Sequence, residues 1–240
     1  MNFIVLASGR GSRLNILTKK KPKCLTEIKN KKTLLDFVVE NFNNNDNKII
    51  SVGYKSNLIT NHFSDKSMNF VKNKNFFSTN MTESLMLCKK RLKKSDLIIV
   101  YSDIYFDKEI IKKIRKLKGN IIALNANWLN SWKQRYLSLK RVKEDAENCV
   151  VSQGKIKKIG HKIGKKLPKY QFMGIIKIEY KTFNKLENFY KKLKNKKISM
   201  THFLNESIKF NIANYKYFPF KNYWYEVDNI TDLNYLKKNI

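Results

Sequence analysis

Short apolar runs alternate along most of this chain with segments in which apolar residues recur at helical spacing. The apolar runs predict strands, because they are short and are bounded by glycine or polar residues. These strands cover residues 3–6, 48–52, 68–71, 97–101, 120–124, 172–179, 215–218 and 224–227. Helices are predicted over residues 34–42, 57–62, 80–92, 108–117, 180–192, 201–210 and 231–238. Strands that alternate with helices favour an α/β layered fold.

Residues 127–169 depart from this pattern, because their periodicity is weaker than that of the flanking segments. Two short apolar runs around Gln153-Gly154 predict a β-hairpin there. Gly160 and Gly164 favour a flexible loop after the hairpin. We therefore expect a single domain over residues 1–240, with residues 127–169 as an inserted subregion.

Charge and composition narrow the classes of protein to consider. The chain has 50 basic and 19 acidic residues, a formal net charge of +31, so a nucleic-acid or membrane-surface partner must be weighed. The lysines are spread along the whole chain, which is typical of solvated surface. No long apolar run predicts a membrane span or an export signal, and we expect a cytoplasmic protein. The three cysteines are widely spaced without a C-x-x-C pair, which favours a reducing compartment: Cys24, Cys88 and Cys149.

A glycine-rich turn follows the first predicted strand. Gly9 and Gly11 permit backbone conformations closed to other residues, and successive backbone N–H groups in such a turn bind one anion. Arg13 adds a forked cation that suits phosphate oxygens, and Lys23 adds a mobile point charge. The turn therefore predicts a polyphosphate ligand. The phosphate-loop pattern G-x-x-x-x-G-K-S/T is absent. The pattern G-x-G-x-x-G does not fit either, because Leu14 stands where its third glycine would be.

Residues 6–23 resemble the signature of the nucleotidyltransferases that activate sugar 1-phosphates and small phosphorylated alcohols. That signature is L-A-A/G-G-x-G-S/T-R-L/M-x-P-L-T-x-x-x-P-K, from which the chain departs at Ser8 and at Ile16. The resemblance is closest to the bacterial CTP:phosphocholine cytidylyltransferases and their relatives acting on 2-aminoethylphosphonate or phosphoglutamine. It extends over nearly the whole chain through short blocks in the same order, such as residues 80–85, 172–174 and 224–228. It implies a three-layer Rossmann-like nucleotidyltransferase fold with a mostly parallel mixed sheet, in which residues 127–169 lie on the acceptor side.

The resemblance also implies the nucleotide site. The triphosphate binds on the Gly9–Arg13 turn, and Arg13 and Lys23 are the catalytic cations. The backbone of Leu6 to Ser8 and the side chains of Asn80 and Ser84 line the nucleobase pocket, although Asn80 is equally explained as a helix cap. The full nucleotide-binding set is Leu6, Ala7, Ser8, Gly9, Gly11, Ser12, Arg13, Asn80 and Ser84.

Two aspartates follow predicted strands and are candidate Mg²⁺ ligands. Ligands of parallel α/β sheets bind at the carboxyl ends of the strands, so Asp103 and Asp228 can face the glycine turn. The resemblance implies the same two positions as the metal site. The alternatives are a turn or helix-capping residue for Asp103 and a helix cap for Asp228. Strand alternation puts Glu226 on the same face as Asp228.

The implied reaction is attack of an acceptor phosphate or phosphonate on the α-phosphorus of CTP, with release of pyrophosphate. A phosphomonoester has a second pKa of about 6, so no general base is required. The product decorates surface polysaccharides in the families that the chain resembles. Aromatic side chains suit a quaternary ammonium, and cations suit a phosphate, so the acceptor-binding candidates are Trp128, Arg135, Lys162 and Trp224. The helical spacing of Trp128 with its aromatic neighbours is also typical of simple packing.

Two alternatives stay open. One is a sugar-1-phosphate nucleotidyltransferase that uses UTP, dTTP or GTP, but its usual E-K-P stretch is replaced here by Gly160-His161-Lys162-Ile163. The other is a basic nucleic-acid-binding protein that has lost transferase activity, which predicts steeply salt-dependent binding. No nucleic-acid module is recognisable, and the glycine turn with its aspartates favours the enzyme. A nucleoside triphosphate and a small phosphorylated acceptor are thus the expected partners, with no nucleic acid.

Overall fold

The computed structural model describes residues 1–14, 16–136 and 138–240, without the side chains of Ser12, Ile16 and Leu17. The described chain divides into two compact units. Unit 1 comprises Met1–Tyr105 and Tyr225–Ile240, and unit 2 comprises Phe106–Trp224. The expectation of one domain with an insertion at residues 127–169 stays a prediction.

Unit 1 contains the first six strands, the four described α-helices that lie between them in the chain, and the C-terminal helix. The strands are β1 (Asn2–Ala7), β2 (Glu27–Lys29), β3 (Lys32–Thr33), β4 (Asn47–Val52), β5 (Asn69–Lys72) and β6 (Leu97–Tyr101). The helices are α1 (Ile16–Lys20), α2 (Leu34–Val39), α3 (Ser56–His62), α4 (Met81–Leu87) and α10 (Ile230–Asn239). Two short strands, β7 (Ile104–Phe106) and β13 (Trp224–Glu226), pair with each other where the chain passes between the units.

The sheet of unit 1 has the strand order β5-β4-β1-β6, and all of its pairings are parallel. Strands β1 and β6 are largely apolar runs buried on both faces, as parallel strands covered by helices require. Because the strands run in one direction, their carboxyl ends share one edge. The segments that begin at Ser8, Gly53, Asn73 and Ser102 all leave the sheet at that edge.

An apolar cluster anchors the C-terminal segment within unit 1. Tyr225 and Val227 pack with Leu233 and Leu236 of α10 against residues of the N-terminal half. Asn229 is the N-cap of helix α10, and its side chain forms a capping box with Asp232. This packing fixes the position of the segment that holds Asp228. The remaining members of the cluster are Leu14, Ile28 and Leu34.

Unit 2 contains a mixed sheet with the strand order β11-β8-β12-β10-β9. Strand β8 is parallel to β12 and antiparallel to β11, and β10 is antiparallel to both β12 and β9. The strands are β8 (Ile121–Asn125), β9 (Glu147–Ser152), β10 (Lys155–Lys162), β11 (Gln171–Ile178) and β12 (Lys216–Phe220). The helices are α5 (Glu109–Lys116), α6 (Trp128–Arg135), α7 (Leu139–Asp145), α8 (Tyr180–Lys192) and α9 (Met200–Lys209).

The predicted α/β class with a mostly parallel mixed sheet is confirmed. The hairpin β9–β10 turns at Gln153 and Gly154, which have the left-handed φ values of 49° and 72° that a two-residue hairpin turn favours. The prediction of a flexible loop at Gly160 was wrong, because this residue lies within β10. Its φ is 81°, and a Cβ there would be 2.7 Å from Thr201 Cβ. Helices α6 and α7 were missed. No helix among the described residues is long and apolar enough to span a membrane.

Candidate active site

The glycine turn after β1 is closed by a backbone hydrogen bond from Leu14 N to Gly11 O, of 3.1 Å. Gly11 has φ 70°, and a Cβ on it would lie 2.4 Å from Lys23 Cβ. Glycine is therefore required at this position both by the backbone conformation and by the close approach of Lys23. Gly9 is exposed, and a Cβ there would meet no atom within 4 Å. The side chain of Ser12, a predicted nucleotide ligand, lies outside the described part.

Ser8 connects the turn to the neighbouring strand β4. Its hydroxyl is 2.8 Å from the hydroxyl of Ser51, and its carbonyl oxygen accepts a hydrogen bond of 3.0 Å from Tyr54 N. Gly53 is equally constrained, because a Cβ there would be 2.5 Å from Ser8 O. The buried side chains of Leu6 and Ala7 leave only their backbone for the predicted contact with a nucleobase.

Lys23 lies between the two predicted metal ligands. Its Nζ is 2.7 Å from Asp103 Oδ2 and 2.9 Å from Asp228 Oδ1, and only 11% of its side chain is exposed. Arg13 contacts the same Asp228 oxygen at 2.9 Å, but its side chain is 64% exposed. Burial lowers the pKa of Lys23, but the carboxylates of Asp103, Asp228 and Glu226 raise that pKa further, so it lies above its ordinary value. The structure thus brings four predicted residues together.

Two backbone contacts bring the aspartates side by side. Asp103 follows β6, and its carbonyl oxygen accepts a hydrogen bond of 3.0 Å from Val227 N. Asp228 donates its own backbone N–H to Asp232 Oδ2 at 2.9 Å. The capping alternative for Asp228 was wrong, since Asn229 is the N-cap of α10. Asp103 lies in the turn between β6 and β7, as the turn alternative predicted, and it caps no described helix.

A third carboxylate joins this pair. Asp103, Glu226 and Asp228 each offer an oxygen, and the three oxygens lie within 4.8 Å of one another. Asp103 Oδ1 is buried and has no hydrogen-bond partner among the described residues, which leaves one carboxylate oxygen available to a cation. Carboxylate oxygens are the ligands that Mg²⁺ prefers, so this set fits such an ion. The spacing of two residues between Glu226 and Asp228 was the sequence signal for the third carboxylate.

The predicted nucleobase residues lie in and before α4. Asn80 is the N-cap of this helix, and its Oδ1 accepts a hydrogen bond of 2.7 Å from Met81 N. Ser84 Oγ accepts a hydrogen bond of 3.0 Å from Asn73 Nδ2, which also donates to Thr79 Oγ1 at 3.0 Å. Asn73 is buried at the end of β5 and was missed, because nothing in the sequence distinguishes it from the chain's many other asparagines.

The predicted acceptor residues all lie in unit 2. Trp128 and Trp224 are 2% and 3% exposed, and their Nε1 atoms donate to Pro168 O and Met173 O. These contacts are typical of core side chains and offer no exposed ring face to support the predicted role. Lys162 is exposed at the end of β10.

Arg135 is buried beside Asp145 and the ring of Trp132. Its guanidinium lies 5.2 Å from the centre of the Trp132 ring, and its Nη1 is 3.7 Å from Asp145 Oδ2. A cavity of about 360 Å³ opens nearby, with both acidic and basic side chains on its wall. Its lining residues are Tyr136, Arg141, Glu144 and Asp145. Acceptor binding by these residues and by the predicted set stays a prediction.

Residues 2–240 match the model of a family described as nucleotidyl transferase. The chain is 32% identical to a CTP:phosphoglutamine cytidylyltransferase of Campylobacter jejuni subsp. jejuni, in an alignment that covers 97% of this chain and 98% of that protein. Its fold resembles an inositol-1-phosphate CTP transferase from T. maritima, with a TM-score of 0.76, 20% identity, and coverage of 99% and 94% of the two chains. It also resembles a CTP:phosphocholine cytidylyltransferase from Streptococcus pneumoniae, with a TM-score of 0.74, 22% identity, and coverage of 99% and 98%.

Proposed function

Because this chain belongs to the nucleotidyl transferase family, we propose that it transfers a cytidylyl group from CTP to a small phosphorylated or phosphonylated acceptor and releases pyrophosphate. The observation that supports this proposal most is the end-to-end similarity to a cytidylyltransferase, at 32% identity. Phosphoglutamine is therefore the first acceptor to test, followed by phosphocholine and 2-aminoethylphosphonate. A cytoplasmic location and a role of the product in modifying surface polysaccharides belong to the same proposal.

The glycine turn supplies the triphosphate site in this proposal. Backbone N–H groups between Gly9 and Arg13 bind phosphate oxygens, and the left-handed Gly11 lets the ligand approach the main chain. Arg13 has an exposed guanidinium that can move from Asp228 to a phosphate. Lys23 lies against the turn and neutralises charge on the α-phosphate.

The three clustered carboxylates are the proposed Mg²⁺ ligands: Asp103, Glu226 and Asp228. When bound, Mg²⁺ neutralises negative charge on the triphosphate and orients it for in-line displacement. The unpartnered Asp103 Oδ1 supports this assignment, because a buried carboxylate oxygen without a hydrogen bond is costly unless a cation binds it.

Bond making and breaking need no protein nucleophile. One oxygen of the acceptor phosphate forms a bond to the α-phosphorus, and the bond from that phosphorus to the bridging oxygen breaks. The electron pair leaves with pyrophosphate. Since the acceptor oxygen is already ionised at neutral pH, the chain's contribution is to hold the two anions in line and to offset their charge.

The test is pyrophosphate release by the full chain with Mg²⁺, each nucleoside triphosphate in turn, and a panel of acceptors. We expect release with CTP and one of the three small acceptors. Release only with a sugar 1-phosphate and UTP, dTTP or GTP would reject the cytidylyl proposal. No release with any pair, together with salt-sensitive binding of nucleic acid, would support the lost-activity alternative instead.

A further inference from the structure

Three aromatic rings lie beside the phosphate turn and have no role in the mechanism described so far. Phe77 is 70% exposed, and its ring centre is 4.2 Å from that of Phe76. Phe76 in turn makes an edge contact with Tyr54, with ring centres 6.1 Å apart. Phe76 and Tyr54 are half-buried, so the three rings form one aromatic patch whose exposed face is the Phe77 ring.

The cluster is built directly onto the glycine turn. At Gly53, a Cβ would lie 2.5 Å from Ser8 O and 3.0 Å from Phe76 Cβ, so the turn and the aromatic segment approach the same point. Tyr54 N donates to Ser8 O, and Arg10 of the turn lies over the Tyr54 ring with its Cζ 5.6 Å from the ring centre. The rings are therefore neighbours of the predicted phosphate site within unit 1.

The segment that holds Phe77 is held by internal hydrogen bonds. Asn73 Oδ1 accepts from Asn75 N at 2.9 Å, and Asn73 Nδ2 donates to Thr79 Oγ1 at 3.0 Å. Thr79 Oγ1 donates to Asn75 O at 2.7 Å. These bonds fix both ends of the segment, so the Phe76–Phe77 ring pair is pre-formed, as a stacking surface must be to bind without a large ordering cost.

The strand order gives the cluster a direction relative to the rest of the site. Asp103 follows β6, the phosphate turn follows β1, and the aromatic rings follow β4 and β5, in the spatial order β6-β1-β4-β5. The aromatic rings thus lie on the side of the turn away from Asp103, in and beside the segment that leads into α4 with Asn80 and Ser84, the two predicted nucleobase residues.

We propose that Phe77, supported by Phe76 and Tyr54, is the stacking surface for the pyrimidine of the bound nucleotide. This inference rests on the proposed function, to which it adds a nucleobase-positioning residue. Aromatic stacking tolerates any base, so Phe77 contributes affinity and orientation, whereas polar groups such as those of Asn80 and Ser84 distinguish the bases.

The experiment compares Phe77→Ala with Phe210→Ala, a matched control in unit 2 whose ring is 55% exposed. Dissociation constants for CTP and for inorganic tripolyphosphate are measured by calorimetry. Loss of one stacking contact should weaken CTP binding by about 5- to 150-fold, and tripolyphosphate, which has no base, should bind as before. Phe210→Ala should change neither constant. Unchanged CTP binding by Phe77→Ala, or equal weakening of both ligands, would overturn the proposal.

A second variant keeps the aromatic ring and reports on it. In Phe77→Trp, CTP should quench the added tryptophan emission, tripolyphosphate should not, and Phe210→Trp should respond to neither. Repeating the titrations with UTP, dTTP, ATP and GTP separates this inference from the proposed function. Tighter binding of another triphosphate, still weakened by Phe77→Ala, would contradict the preference for CTP and leave the stacking role intact. Quenching of Phe77→Trp by no nucleotide would reject the stacking role.

Discussion

Replacing Lys23 with Met removes the buried ammonium from between Asp103 and Asp228 and keeps the apolar stem. Removing one partner of a buried ion pair costs about 3–5 kcal/mol, because the remaining charge stays buried without compensation. Arg13 still contacts Asp228, and the Asp103 side chain is 21% exposed, so we expect the low end, about 3 kcal/mol. The assay is urea unfolding in EDTA, followed by circular dichroism.

The same variant, which is destabilised in EDTA, should gain stability when Mg²⁺ is added. Lys23 contacts two of the three carboxylates that fit Mg²⁺, so the ammonium and the metal compete for the charge of the same carboxylates. Mg²⁺ without nucleotide should therefore stabilise Lys23→Met more than the natural protein. A metal present at 100 times its Kd contributes about 2.7 kcal/mol.

The control is Lys32→Met, which breaks an exposed ion pair with Glu40 of 2.6 Å and should change neither unfolding nor its metal dependence. The double variant Lys23→Met/Asp228→Asn should lose less free energy of unfolding than the sum of the losses in the two single variants, because both substitutions remove members of one network. Equal stabilisation by Mg²⁺ of the natural protein and of Lys23→Met would refute the competition between lysine and metal. A loss below about 1 kcal/mol in EDTA would refute the buried pair.

Three further predictions follow from single side chains. Gly11→Ala should cost at least about 1–2 kcal/mol in urea unfolding, since φ is 70° there, and should lower pyrophosphate release. Gly9→Ala, with open space at Cβ, should leave urea unfolding nearly unchanged. Asp103→Asn should reduce pyrophosphate release below detection with an unchanged circular dichroism spectrum, and near-normal turnover would remove it from the metal site. Burial raises the pKa of Asp36, but hydrogen bonds from Thr33 lower it further, to below its ordinary value. The stabilising contribution of Asp36 is therefore complete above the unfolded pKa of about 4 and is lost as pH falls through the folded pKa. In Asp36→Asn the free energy of unfolding should fall less steeply over this acidic range. An unchanged pH dependence of that free energy would contradict the prediction.

The sequence alone identified most elements and the chemistry of the phosphate turn. Strand β6 and helix α8 have the predicted bounds, because a continuous apolar run and a long amphipathic repeat are each unambiguous over their length. The helices α6 and α7 were missed, since each is short and the apolar positions of α6 are large aromatic residues that also suit strands or ligand cages. Local pattern cannot separate a tryptophan in a core from one in a binding site.

The candidate site could be described only from the sequence and the tertiary structure together. The residue types of Gly11, Lys23, Asp103 and Asp228 are local information, because each side chain brings its chemistry wherever it lies. Their mutual distances are not local: Lys23 and Asp228 are 205 positions apart, and they meet because α10 and its apolar cluster fix the C-terminal segment within unit 1. The same is true of Phe77, whose neighbourhood with the phosphate turn depends on the strand order β5-β4-β1-β6. Hydrophobic periodicity sets which elements form, whereas the order in which parallel strands pair depends on packing between residues far apart in the chain, and only the tertiary structure determines it.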